Sequence, residues 1–146
     1  MKLCTIGFTQ KTAQQFFRCL RDNGVQRLID IRISPQGQLS AFARQEDLPY
    51  FLHELADRCE YVYLPILAPT KEILKEYRAS GDWTRYVARF EALLDERNIP
   101  AALDRSIFES ATGCLLCSEP TAEQCHRRLV VERLAGHWHG LEVVHL

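Results

Sequence analysis

The sequence predicts an α/β fold, a single three-layer domain over residues 1–146 with a mainly parallel sheet of about 4–5 strands flanked by helices. Two patterns predict it. Short apolar runs of strand length alternate with longer segments of helical periodicity, and nearly every run ends in Gly, Pro or a polar stretch that cannot continue it. A third observation is size: 146 residues, 47% of them hydrophobic, suffice to bury one core without a metal or a disulfide framework.

Leu3 to Gly7 is predicted as the first strand. Ala13, Phe16, Phe17 and Leu20 then recur at helical spacing, forming one apolar face that ends near Asn23-Gly24. Leu28 to Ile31 is a second buried strand, and the polar stretch Ser34 to Gln38 opens a long loop. A helix starting near Asp47, with Pro49 in its first turn, turns Leu48, Phe51, Leu52 and Leu55 inward. Tyr61 to Leu64 is the third strand. Thr70 is expected to cap a short helix carrying Ile73, Leu74 and Tyr77, and Ser80-Gly81-Asp82 breaks it. Trp83, Tyr86, Val87, Phe90, Leu93 and Leu94 mark one face of the clearest helix, which makes Tyr86 a core residue. Gly113 to Cys117 is the fourth strand. A helix from Thr121 to about Leu134 is expected next, because Thr121 and Gln124 have the spacing of a capping box. Leu141 to Val144 closes the sheet.

Composition excludes several classes. Eighteen Lys and Arg against 19 Asp and Glu leave a formal charge of −1, so no global field gathers nucleic acid or an anionic membrane around the chain. No apolar stretch approaches the roughly 18 residues that span a bilayer. The first residues read directly into a strand, without the apolar run of a secretory signal. The expected location is therefore the cytoplasm, with no membrane partner. There the six cysteines are expected to be thiols rather than a disulfide scaffold.

Ligands of open parallel sheets bind at the carboxyl ends of the strands, where loops and helix amino-termini converge. The reactive residue types of this chain gather behind those ends. Thr9 follows the first strand, Asp30 and Arg32 the second, and Cys117 and Glu119 the fourth, with Cys125, His126 and Arg127 just beyond. Cys117-x-Glu119 after a buried strand and Cys125-His126-Arg127 in the next helix resemble the hallmark of the domain-of-unknown-function 488 family. Thr5-Ile6-Gly7, Asp30-Ile31-Arg32 and the aromatic helix with Trp83, Tyr86 and Phe90 agree with it, although Phe8 stands where many members carry a histidine. The resemblance implies a fold and a site, but no reaction.

Read independently, Cys125 in the first turn of a helix has the dipole, His126 and Arg127 to favour a thiolate. The leading reading is an anion-recognising cleft in which Thr9, Arg32, Cys117 and Arg127 bind a phosphate-bearing ligand, a nucleotide or a nucleic-acid end. In an enzymatic version Glu119, His126 and Cys125 are the catalytic candidates, Glu119 or His126 acting as acid or base in a hydrolysis. Bland roles compete with these: a core position for Cys125, a helix-capping carboxylate for Glu119, and a plain ion pair between Asp30 and Arg32, which share a strand face. A thiol redox protein cycling Cys117 and Cys125 is a second class, and a non-catalytic interaction module a third.

No cofactor is expected. The stretch Gly7 to Thr12 lacks the second glycine of a phosphate loop, no Gly-x-Ser-x-Gly elbow is present, and neither Cys117 nor Cys125 has an arginine at the spacing of a protein-phosphatase signature. No metal is expected either. Cys114-x-x-Cys117 and Cys125-His126 offer four soft ligands, but on a strand the first pair points to opposite faces, and on a helix the second pair sits about 100° apart. His137-x-His139 reads as a surface turn.

Overall fold

The computed structural model describes residues 1–146. Five parallel strands form one sheet in the order β3-β2-β4-β1-β5: β1 (Lys2–Gly7), β2 (Arg27–Asp30), β3 (Glu60–Tyr63), β4 (Gly113–Cys117) and β5 (Glu142–His145). The three inner strands, β1, β2 and β4, are buried almost throughout, as strands covered on both faces must be. The edge strands β3 and β5 carry exposed Glu60 and Glu142. The expected limits of β2, β3 and β5 lie within one residue of these.

Alternation along the strands divides the core in two. Leu3, Ile29, Ile31 and Leu115 face a layer built from α3 (Lys71–Ser80), α4 (Trp83–Glu96) and α6 (His126–His137), whose Tyr86, Phe90, Leu94, Val130 and Leu134 are buried there. Cys4, Ile6, Leu28, Cys114 and Leu116 face the other layer, against Phe16, Phe17 and Leu20 of α1 (Ala13–Asp22) and Leu48 and Leu52 of α2 (Leu48–Leu55). Short 3₁₀ turns at Gln38–Ala43 and Pro65–Leu67 and the single turn α5 (Ser106–Glu109) fill the connections. The sequence pattern had no sign of them, since one turn is too short to show a period. Thr70 caps α3 through Ile73 N–H, as expected, and Thr12 and Gln15 form a full capping box on α1.

One helix begins elsewhere than expected. Residues 121–125 are turns and bends, α6 starts at His126, and Cys125 is its N-cap in extended conformation (φ −138°, ψ 140°). The Thr121–Gln124 capping box does not form at the start of a helix. The loop's polar groups are committed to tertiary bonds instead: Thr9 N–H and Oγ1 both donate to the Ser118 carbonyl (3.2 and 2.6 Å), and Arg127 Nη1 donates to the Glu119 carbonyl at 2.6 Å.

The topology positions the site. After β1 and β2 the chain leaves for α1 and α2 on one face of the sheet, whereas after β4, which lies between them, it leaves for α6 on the other. Adjacent connections departing to opposite faces open a crevice at the strand carboxyl ends.

Candidate functional site

A cleft of about 660 Å³ opens at this crevice. Its floor is Cys117, at the end of β4, with Cys125 and His126 at the start of α6; its walls are Arg32 to Ser34 after β2 and the facing sides of α3 and α4. The placement follows from local chemistry. Phe90 of α4 meets the His126 ring edge to face at 5.8 Å, and His126 Nε2 hydrogen-bonds the Ile31 carbonyl at 2.9 Å. A neutral ring donating from Nε2 to that carbonyl carries its lone pair on Nδ1, which lies 3.4 Å from Cys117 Sγ.

Cys117 Sγ, Cys125 Sγ and a ring nitrogen of His126 all lie within 4.8 Å of one another, and all three residues are buried. The expectation that Cys125 and His126 diverge is overturned. It assumed that both sit on a helix, whereas the extended conformation of Cys125 folds its sulfur back beside the imidazole. Cys114 does point away, into the opposite core layer.

The two thiols are unequal. Cys117 is held well below the ordinary thiol range, because Cys125 hydrogen-bonds its sulfur and His126 and the Glu119 backbone N–H outweigh burial. Cys125 is pushed up, as the partner donating to Cys117 and as a buried group. Burial pulls His126 down, but the Cys117 thiolate and the Ile31 carbonyl more than offset it, so the imidazole's pKa rises. The more acidic thiol is thus Cys117, not the Cys125 singled out from the sequence.

The remaining expected residues are dispersed. Arg32 lines the cleft, but its Nε and Nη2 are paired with Asp30 (2.9 and 2.6 Å), and Nη2 also reaches the Ala43 carbonyl. Asp30 is further held by Tyr61 Oη at 2.7 Å. The bland ion pair is therefore real and buried, with Nη1 of Arg32 the donor left without a partner. Arg127, 1% exposed, does not share the cleft with it. Its guanidinium lies behind the floor, on the Glu119 carbonyl and 3.6 Å from Cys125 Sγ. Thr9 latches the first loop to Ser118. Glu119 is exposed at the cleft and does not cap α6.

Sequence reading missed the basic wall. Lys71, Lys75 and Arg78 recur at helical spacing on α3, and all three line the cleft. They enter no ion pair, whereas the nearby Arg85 and Arg89 are both held by Glu76. Tyr77, Trp83 and Tyr86 stand beside them; Trp83 stacks on Tyr86 (14° between planes, 5.1 Å), and Tyr77 Oη donates to Gln124. The i, i+4, i+7 spacing of the three cations was the available signal.

The arrangement offers an acidic thiol beside an oriented imidazole, three soft metal-ligand atoms in one cluster, and a positively charged aromatic wall. No helix is long and apolar enough to cross a membrane. No curated protein and no solved structure was found to match the chain. A family model does match: residues 12–134, which carry β2 to β4, the cleft walls and the Cys117/Cys125/His126 floor, fit the domain of unknown function DUF488, and the chain belongs to that family.

Proposed function

We propose that the cleft binds a phosphate-bearing ligand with a planar or apolar body, a nucleotide or a nucleic-acid end. The observation that carries this reading is the row Lys71, Lys75 and Arg78, three cations without carboxylate partners on one wall, beside Tyr77, Trp83 and Tyr86. Cations left unpaired at a concave surface attract anions, and an aromatic wall accepts the ligand's body. Glu119 and His126 stand at the same cleft as acid–base candidates, with Cys117 in the position first assigned to Cys125. A redox cycle of Cys117 and Cys125 would draw on the same floor, but it leaves the basic and aromatic walls without a part, so the binding reading is preferred.

Calorimetric titration with adenosine triphosphate, adenosine and inorganic pyrophosphate tests it. Both phosphorylated probes should bind, adenosine much more weakly, and Lys75→Glu/Arg78→Glu should weaken the phosphorylated ones by roughly tenfold or more, as loss of charged hydrogen bonds does. If none of the probes binds, or if the charge reversal changes nothing, the reading is wrong.

A further inference from the structure

We propose that Cys117, Cys125 and His126 form a zinc site with three protein ligands and a fourth position facing the cleft. Sulfur and nitrogen ligands about 2.3 and 2.1 Å from a tetrahedral ion stand about 3.6 Å apart. Cys117 Sγ and His126 Nδ1 are 3.4 Å apart, and no pair among the three ligand atoms exceeds 4.8 Å. Little rearrangement separates this cluster from a coordination sphere.

The surroundings are those of metal ligands. A zinc-bound histidine usually donates its second ring N–H to a carbonyl or carboxylate, which fixes the tautomer and aims the other nitrogen at the ion. His126 does this through Nε2 and the Ile31 carbonyl at 2.9 Å. Arg127 Nη1, 3.6 Å from Cys125 Sγ, adds a positive charge behind the thiolates. A bare dithiol pair would not need the imidazole held in this orientation. Two thiolates and one imidazole select a soft or borderline ion, zinc first among them.

On binding, the Cys125 thiol gives up its proton to solvent, as do Cys117 and His126 wherever they still carry one, and the ion gains two Cys–Zn bonds and one His–Zn bond, so uptake strengthens as pH rises. All three ligands line the cleft, and the fourth position therefore opens into it, toward water or an anionic ligand. Sites of that kind polarise bound water or an oxygen of the substrate. The inference stands on the floor alone, independently of the phosphate reading, which stands on the wall.

The test uses the full chain, reduced and stripped with a chelator, titrated with Zn²⁺ against a chromophoric competitor and with Co²⁺ by visible absorption. One equivalent per chain is expected, with thiolate-to-cobalt charge transfer and intense tetrahedral d–d bands. Cys117→Ser and Cys125→Ser should each weaken uptake by at least the roughly 10–100-fold that loss of an outer-shell partner costs. Cys114→Ser, in the opposite core layer, should leave it unchanged. Lys75→Glu/Arg78→Glu should also bind Zn²⁺ normally, so failure of the phosphate reading leaves this one standing, and the reverse. Where a serine variant fails to fold, the wild-type cobalt spectrum decides. Weak octahedral bands without charge transfer, uptake indifferent to both serine variants, or a reduced chain that takes no Zn²⁺ and merely forms a Cys117–Cys125 disulfide on oxidation would each overturn the site.

Discussion

At Gly7 the end of β1 meets another backbone. A Cβ there would come within 1.6 Å of the Glu119 carbonyl oxygen, and within 3.0 Å of Arg127 Nη1. No rotamer relieves a clash with main chain, so Gly7→Ala must displace the loop that leaves β4 after Cys117 and carries Glu119. The cost should exceed about 3 kcal/mol, the upper end of ordinary overpacking, and chemical denaturation of the two proteins measures it. Chemistry at the neighbouring Cys117 depends on pH in a definite direction. Its pKa is depressed, so the thiolate persists as pH falls below the range of an ordinary thiol. Alkylation by iodoacetamide in the metal-free protein should therefore follow an inflection below the usual value of about 8.5. His126→Gln removes the imidazole that helps hold the Cys117 thiolate and should move that inflection upward; a wild-type profile already at the ordinary value would rule out the arrangement. Residue types were legible here, since Cys, His and Arg behind a strand end stand out. Their roles were not, because Arg127 reads the same in sequence whether it faces a ligand or grips the Glu119 carbonyl.

Helix beginnings show how local and long-range bonding compete. Thr12 and Gln15 satisfy each other's backbone donors at the start of α1, and the pattern that announces this is complete within four residues. Thr121 and Gln124 carry the same spacing but start no helix, because the segment between β4 and α6 is bonded to the first loop and to Arg127. Thr12→Ala should accordingly cost about 1 kcal/mol, as loss of a working N-cap does. Thr121→Ala should stay within about 0.5 kcal/mol, like a surface change away from such features. Thermal or urea unfolding of both variants distinguishes them, and equal losses would mean that Thr121 caps after all. The five-residue delay in the start of α6 is what frees Cys125 to sit extended beside His126. An error at one helix boundary was therefore also an error about the site.

Over the whole molecule the charges nearly cancel, at −1, while Lys71, Lys75 and Arg78 concentrate positive charge at one cleft. On the proposed reading, three cations on a single helix wall would serve one local anion rather than a track along a polyanion. Long duplex DNA or RNA should bind weakly or undetectably at physiological salt, with a shallow salt dependence. Fluorescence anisotropy over a salt series checks this: a steep slope, which reports many neutralised phosphates, would mean that the surface is a general nucleic-acid binder.

The fold class and most of the frame were legible from residue pattern alone. Short, largely apolar runs such as Leu28 to Ile31 and Gly113 to Cys117, bounded by turn residues and alternating with helical segments, point to strands covered on both faces, and the periodicity of residues 83–96 points to a helix; such patterns are written within short windows of sequence. Residue pattern also determined the edge of the sheet where reactive residues collect, because strand direction follows from strand and helix alternating. Tertiary structure alone decided which of those residues meet. The order β3-β2-β4-β1-β5 places the end of β4 between β1 and β2. This brings the Ile31 carbonyl to His126 across 95 residues of chain, and α3 from a distant segment to form the basic wall. Such contacts are set by packing between elements, whose partners no short window of sequence contains.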